Sequence, residues 1–254
     1  HRMDQVSAAR STRWKMKLLS LTSTASFAVL LFLGLKPATG PSIASRIVDP
    51  AKEQITLFWK DEHGQGEVLG NIGALEQEVK RLGRKLVFAM NGGMYDPQQA
   101  PVGLYVEEGQ VLHKLNTTKG GGGNFHMQPN GVFGITKEGK AFIHTTAECP
   151  SPATLRYATQ SGPMLLVKGA INAQFKLGST NLNIRNGVGI MSDGRVVFAI
   201  SREPVNFFDF ASWFKAQGCS DALYLDGAIS RAYIPEAGVD QRDGQLGVLI
   251  AVIQ

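Results

Sequence analysis

The chain has 254 residues, of which 43% are hydrophobic, and a formal net charge of +5. This length suffices for one domain with a sizeable core. Residues 1–44 hold six Lys or Arg and one Asp, so the other 210 residues carry twenty charges of each sign. A neutral domain without a basic stripe argues against binding along a phosphate backbone, and we expect no nucleic-acid partner.

The first predicted element is a targeting segment. Leu18 to Leu35 contains no charged residue, and basic residues at positions 10, 13, 15 and 17 precede it. This pattern is typical of an export signal, and the small residues of Ser42-Ile43-Ala44 fit a cleavage site. Because an apolar stretch of this length also approaches a membrane span, an uncleaved anchor stays open. We expect residues 1–44 to be a signal peptide or anchor with a linker, and residues 45–254 to form a periplasmic or extracellular domain that meets the membrane only through this segment.

Short strand patterns separated by tight turns dominate the mature part. Three such patterns are Gln54 to Trp59, Gly131 to Ile135 and Val196 to Ile200. Apolar residues at helical spacing predict two helices, one between Asn71 and Gly83 and one between Asn206 and Gly218. Because hairpins outnumber βαβ crossovers, the chain is predicted to be α+β, a single domain with a mixed, largely antiparallel sheet flanked by helices.

The cysteines and histidines give no metal pattern. Cys149 and Cys219 would be able to pair in an exported chain, although two separately buried thiols are an equal alternative. We predict the disulfide. Neither cysteine has the spacing of a zinc site, and the same holds for His63, His113, His126 and His144. The sequence requires no cofactor, and a divalent cation stays open.

Two apolar strands end in a polar residue followed by glycine. The strand that starts at Lys85 runs into Asn91-Gly92-Gly93, and the strand that starts at Ala222 runs into Asp226-Gly227. Strand ends can present side chains to a ligand, and glycine lets another molecule approach the backbone. We therefore expect a common cleft, whereas a plain hairpin turn would also explain Asp226-Gly227.

Further polar stretches lie at residues 124–131, 158–163 and 183–187. Arg185 directly precedes a predicted strand, where its planar guanidinium could grip a phosphate through two hydrogen bonds. His126 belongs to the first stretch, and such a residue is more often structural than catalytic.

Taken in this order, the stretches resemble the phosphodiester glycosidase family over roughly residues 53–253. The matching residues are Asn91-Gly92-Gly93-Met94-Tyr95, Pro129-Asn130-Gly131-Val132-Phe133, Gln160-Ser161-Gly162-Pro163, Arg185 with Gly189, and Leu225-Asp226-Gly227 with Ser230. The family usually carries Asp-Gly-Gly-Gly-Ser near its end, whereas this chain has Asp226-Gly227-Ala228-Ile229-Ser230. The departure adds bulk at the mouth of the cleft and bears on the substrate more than on the reaction.

The resemblance implies hydrolysis of the bond between a sugar's anomeric carbon and a phosphodiester oxygen, with a sugar-phosphate or glycan as substrate. The expected catalytic residues are Asp226, facing the developing positive charge, Arg185, holding the phosphate, and Asn91. The expected substrate-binding residues are Gly92, Gly93, Tyr95, Asn130, Gln160, Ser161, Gly162, Gly227 and Ser230, with Asp96 and Glu203 as reserve carboxylates.

Two other functions stay open at this point. A non-catalytic carbohydrate-binding or exopolysaccharide-assembly protein on the same fold would keep the amides and the aromatic ring without requiring Asp226. A phosphodiesterase acting on nucleotides would call for a metal cluster, for which the histidines show no recognisable ligand spacing.

Overall fold

The computed structural model describes residues 40–62, 64–225 and 229–254. The predicted apolar targeting segment therefore lies outside the described residues, as do His63, Asp226 and Gly227. Across the described ranges, no helix combines the length and the apolar character needed to cross a membrane.

The largest sheet has six strands, ordered β1-β12-β11-β13-β9-β10. Its strands are β1 (Ile43–Val48), β9 (Met164–Val167), β10 (Ala170–Ile171), β11 (Asn186–Met191), β12 (Val196–Ser201) and β13 (Cys219–Tyr224). Strand β1 pairs with β12 along its whole length, and the first pair is Ile43 opposite Ser201. The Arg202 N–H donates to the Ser42 carbonyl at 2.9 Å. The first strand thus starts two residues before the boundary expected at residue 45, and cleavage after Ala44 would cut into it.

Two five-stranded sheets complete the fold. One comprises β2 (Ile55–Phe58), β3 (Leu86–Asn91), β14 (Ala232–Ile234), β15 (Val239–Asp240) and β16 (Leu249–Ile253), in the order β15-β14-β3-β16-β2. The other comprises β4 (Tyr105–Glu107), β5 (Gln110–His113), β6 (Gly131–Thr136), β7 (Ala141–Thr145) and β8 (Leu155–Ser161), in the order β5-β4-β8-β6-β7.

Both predicted helices are confirmed together with their caps. Helix α1 (Ile72–Arg81) begins after Asn71, whose side-chain oxygen accepts from the Ala74 N–H at 2.8 Å. Helix α2 (Phe207–Ala216) begins after Asn206, whose side-chain oxygen accepts from the Asp209 N–H at 2.8 Å. Such caps satisfy backbone donors that the first helical turn leaves unpaired.

The three sheets share one hydrophobic core. Phe88 of β3 and Phe133 of β6 both pack on Phe198 of β12, with ring centroids 4.8 and 5.8 Å away. Helix α1 covers the outer face of the sheet that contains β3, and α2 covers the outer face of the six-stranded sheet. The α+β class, the single domain and the largely antiparallel pairing are therefore confirmed. The predicted single mixed sheet is wrong, because the described residues form three sheets in which every strand pair is antiparallel.

The predicted disulfide is also wrong, because both cysteines are free thiols. Cys219 is buried at the start of β13, whereas Cys149 follows a short 3-10 turn at residues 146–148. Burial raises the pKa of the Cys149 thiol to about 11 and that of the Cys219 thiol to about 12. Both side chains behave as small apolar groups.

Candidate functional site

The end of β3 and the start of β11 meet in a buried polar network. The Asn186 amide donates to the Asn91 carbonyl oxygen at 2.8 Å, and the Ser230 hydroxyl donates to the Asn186 side-chain oxygen at 3.2 Å. All three side chains are almost fully buried. Since buried polar groups cost free energy unless they are paired, this network joins two sheets at one fixed geometry.

The same asparagines hold the described residues on either side of positions 226–228. The Asn91 amide donates to the Ile229 carbonyl at 2.9 Å, and its oxygen accepts from the Arg231 N–H at 2.8 Å. The Leu225 N–H donates to the Asn186 carbonyl at 3.1 Å. Asn91 and Ser230, both predicted to contact substrate, thus bind the protein's own backbone and side chains, whereas the predicted Asp226 lies outside the described residues.

Arg185 is held in an aromatic bracket, which we define as Phe207 and Tyr224. Its guanidinium carbon lies 3.7 Å from the Phe207 ring centroid and 5.4 Å from that of Tyr224, and the residue is only 1% exposed. Its Nε donates to the Val205 carbonyl at 2.8 Å and its Nη2 to the Asn181 carbonyl at 3.0 Å. A desolvated cation stacked on rings is strongly oriented. The structure therefore holds the Arg185 guanidinium on several sides, whereas the sequence suggested a guanidinium open to a phosphate.

The glycines after Asn91 make room for the protein itself. A Cβ at Gly92 would lie 2.5 Å from Cγ1 of Ile250, and a Cβ at Gly93 would lie 2.4 Å from Oγ1 of Thr159. That hydroxyl donates to the Gly92 carbonyl at 2.7 Å. The missing side chains thus allow close packing of β3 on its neighbours, which differs from the approach of substrate suggested by the sequence.

The amides of Asn130 and Gln160 are likewise buried and bound to protein groups. Asn130 donates to the Phe125 carbonyl at 3.0 Å and accepts from the Thr146 hydroxyl at 2.8 Å. Gln160 accepts from the backbone N–H of Leu104 and of Asn116, both at 2.9 Å. These side chains fix the loops around residues 104, 116 and 125 in place.

Ser161 and Gly162 follow directly in the chain. Ser161 is fully buried, and its hydroxyl has no hydrogen-bond partner among the described residues. A Cβ at Gly162 would lie 2.7 Å from Cβ of Asn130 and 2.9 Å from the Phe125 carbonyl. Gly162 therefore lets the end of β8 pass beneath the segment that carries Phe125.

Beside this segment opens a cavity of about 330 Å³, here called the site cavity. Its lining residues are Met94, Tyr95, Val102, Gly122, Gly123, Asn124, Phe125 and His126. The apolar wall formed by Met94, Val102 and Phe125 belongs to the hydrophobic cluster that also contains the aromatic bracket. The site cavity and the aromatic bracket thus share one hydrophobic cluster. Tyr95, a predicted substrate-binding residue, lies on the cavity wall.

The reserve carboxylates lie elsewhere. Asp96 accepts from the backbone N–H of Gln98 at 2.9 Å and of Ala100 at 3.0 Å, which is the pattern of a turn residue. Glu203 is exposed on the surface. Within the described ranges, no three side chains of His, Cys, Asp or Glu come close enough together to hold a metal ion.

Three important residues escaped the sequence analysis. Asn186 follows Arg185 directly, but a single Asn-Gly pair is ordinarily a turn signal. Phe207 lies on the buried face of α2, within the predicted second helix, and Tyr224 lies in β13, within the predicted strand that starts at Ala222. Their contact with Arg185 joins parts of the chain about 20 and 40 residues apart, which local patterns do not reveal.

Comparison with known proteins gives one family and several similar folds. A family model described as phosphodiester glycosidase matches residues 84–247. The chain is 38% identical over 194 residues to the uncharacterized protein YigE of Escherichia coli strain K12, covering 76% of this chain and 74% of that protein.

Solved structures also share the fold at low sequence identity, the following two among them. The catalytic domain of zebrafish N-acetylglucosamine-1-phosphodiester alpha-N-acetylglucosaminidase, auto-inhibited by its pro-peptide, matches with a TM-score of 0.57 and 17% identity over 85% of each chain. A putative exported protein from Burkholderia pseudomallei matches with a TM-score of 0.55 and 12% identity, over 85% of this chain and 75% of that one.

Proposed function

We propose that this chain, which belongs to the phosphodiester glycosidase family, hydrolyses the bond between the anomeric carbon of a sugar and a phosphodiester oxygen. The similar zebrafish enzyme is named for such a bond in an N-acetylglucosamine 1-phosphodiester. The observation that carries the proposal is the buried, aromatic-bracketed Arg185 beside the strand ends that hold the family's motif residues.

The reaction places opposite charges on the two sides of the bond that breaks. The anomeric carbon gains positive charge, and the departing phosphodiester oxygen keeps the electron pair as part of a phosphate monoester. A guanidinium fixed before the substrate arrives stabilises that oxygen without having to reorganise. Arg185, held by Phe207 and by the Val205 carbonyl, is proposed for this role.

The carboxylate proposed to face the anomeric carbon is Asp226, which follows the buried Leu225 just after the end of β13. Phosphate is a good leaving group, so one carboxylate and correct positioning can suffice without a strong general acid. Asn91 and Asn186 are proposed to act through position: the Asn91 amide donates to the Ile229 carbonyl, and the Asn186 side chain binds the Asn91 carbonyl and the Ser230 hydroxyl. Removing either side-chain amide would then disturb catalysis and stability together.

The location and partners follow as further parts of the proposal. The basic flank and apolar stretch before Leu35 support export to the periplasm or beyond, either with cleavage or with retention as an anchor. The family supports a glycan or sugar-phosphate as the substrate, and the neutral charge of residues 45–254 argues against a nucleic acid.

The test is release of free sugar from a panel of sugar 1-phosphodiesters that differ in sugar, anomer and second ester. The purified protein is incubated with each, with and without a chelator, beside the Asp226→Asn variant, which keeps the shape and loses the charge. Hydrolysis of at least one member, reduced about 10²- to 10³-fold in Asp226→Asn, supports the proposal. Binding without turnover across the panel would instead favour a carbohydrate-binding protein on this fold.

A further inference from the structure

The two ring nitrogens of His126 lie in different surroundings. Nδ1 is buried and has no hydrogen-bond partner among the described residues. The ring nevertheless lines the site cavity together with Tyr95 and Asn124. Nε2 is not one of the buried atoms that lack a partner, so it is the ring nitrogen that a ligand in the site cavity can reach.

This difference selects one tautomer of the neutral ring. A proton on Nδ1 would leave a buried N–H without an acceptor, which is among the rarest and costliest arrangements in folded proteins. A proton on Nε2 leaves Nδ1 as an unpaired acceptor, but it lets the ring N–H donate to water or to a ligand in the site cavity. In that tautomer His126 is a hydrogen-bond donor toward the cavity.

The chain holds the ring in that orientation. The Phe125 ring packs against it almost perpendicularly, with centroids 5.2 Å apart. A Cβ at Gly121 would lie 2.7 Å from Cδ2 and 3.0 Å from Nε2 of His126, and the φ angle of Gly121 is +132°. Only glycine suits that backbone conformation and that space. The glycine-rich segment before Asn124 thus accommodates the imidazole.

We propose that His126 is a further substrate-contacting residue, whose Nε2–H donates a hydrogen bond to a phosphate oxygen of the substrate bound in the site cavity. This inference rests on the proposed phosphodiester glycosidase function. Phosphate oxygens are the strongest acceptors that such a substrate offers, and a hydrogen bond to a charged acceptor is stronger than one to a sugar hydroxyl. The phosphate and its second ester then occupy the site cavity, which shares its hydrophobic cluster with the bracket around Arg185.

Two substitutions separate a specific donor from a merely structural ring. The amide nitrogen of Gln falls near the position of Nε2, whereas that of Asn falls near Nδ1. His126→Gln should retain kcat/KM within about threefold, and His126→Asn should lose about 10- to 100-fold, as expected for one charge-assisted hydrogen bond. The matched control is His144→Gln at an exposed histidine on β7, which should change nothing.

Nitrogen-15 NMR of the labelled protein tests the tautomer independently of turnover. The inference expects a protonated Nε2 in His126 and a shift of that signal when a phosphate monoester is titrated in. Three results would each overturn the proposal: a protonated Nδ1, an Nε2 signal that does not shift when the phosphate monoester is added, or equal losses of kcat/KM for the Gln and Asn variants. If the protein hydrolyses no sugar 1-phosphodiester, the proposed function fails, and the phosphate titration alone decides whether His126 binds phosphate.

Discussion

Replacing Phe207 by Leu tests whether the aromatic bracket acts through Arg185. The change keeps an apolar side chain on α2 but removes the ring that lies 3.7 Å from the guanidinium carbon and stacks on Phe175 with centroids 4.9 Å apart. A desolvated cation–π contact contributes about 1–2 kcal/mol and an aromatic pair about 0.5–1.5 kcal/mol. We expect the free energy of unfolding to fall by about 2–3 kcal/mol.

The effect on activity follows from the orientation of Arg185. If the loosened guanidinium loses about 1–2 kcal/mol of transition-state stabilisation, kcat/KM falls about 5- to 30-fold. Urea unfolding measures the stability, and sugar release from the best phosphodiester substrate measures kcat/KM for Phe207→Leu, Arg185→Lys and the double variant. Because both changes disturb the same contact, the loss in the double variant should be smaller than the sum of the two single losses by about 1 kcal/mol or more.

Phe210→Leu is the matched control for this experiment. Phe210 lies one turn further along α2, is fully buried and packs on Phe214 with centroids 5.2 Å apart. It should lower stability by a similar amount and leave kcat/KM nearly unchanged. Equal losses of kcat/KM in Phe207→Leu and Phe210→Leu, or strictly additive effects of Phe207→Leu and Arg185→Lys, would refute the reasoning.

Three further predictions concern packing, titration and thiols. Gly93→Ala should destabilise the fold by about 1–3 kcal/mol through overpacking. Adding Thr159→Ala should restore much of the stability and activity, because it removes the oxygen that lies 2.4 Å from the new Cβ. A double variant that folds well but stays inactive would instead indicate that Gly93 makes room for substrate. Burial raises the pKa of the Glu107 carboxyl above its ordinary value despite the hydrogen bond from Tyr105, so its contribution to stability is present below the unfolded pKa and is lost as pH rises through the folded pKa. Glu107→Gln should therefore raise the melting temperature more at pH 7 than at pH 4, and an equal shift at both would contradict this cause. Alkylation in denaturant without reductant should label both Cys149 and Cys219. In the folded protein Cys219 should react slowly, as a buried thiol does. A protein mass two hydrogens below that of the dithiol would show a disulfide instead.

The features that the sequence predicts correctly are the local ones. The caps Asn71 and Asn206 act within three residues of their partners, so a short window contains the whole interaction. The division into three sheets depends on pairings such as Ile43 with Ser201 and Asn91 with Leu249. No window of the sequence holds both partners of such a pair, and alternation alone does not distinguish one sheet from three.

The candidate site shows the same division. The sequence locates Asn91 and Arg185 at strand ends, and the structure places them in one packed region around Asn186. The sequence does not reveal that the Asn91 amide is bound to Ile229 and Arg231, because those partners lie about 140 residues away. An amide that binds substrate and an amide that supports a loop have the same signature in sequence.

The most direct test of the central claim is the position of bond cleavage. The purified protein hydrolyses its best sugar 1-phosphodiester in ¹⁸O-labelled water, and the phosphate monoester product is weighed by mass spectrometry. Attack at the anomeric carbon, with Arg185 stabilising the departing phosphate, predicts a phosphate product without ¹⁸O. One ¹⁸O in the phosphate would mean attack at phosphorus and would contradict the account, and so would the absence of hydrolysis across all the sugar 1-phosphodiesters tested.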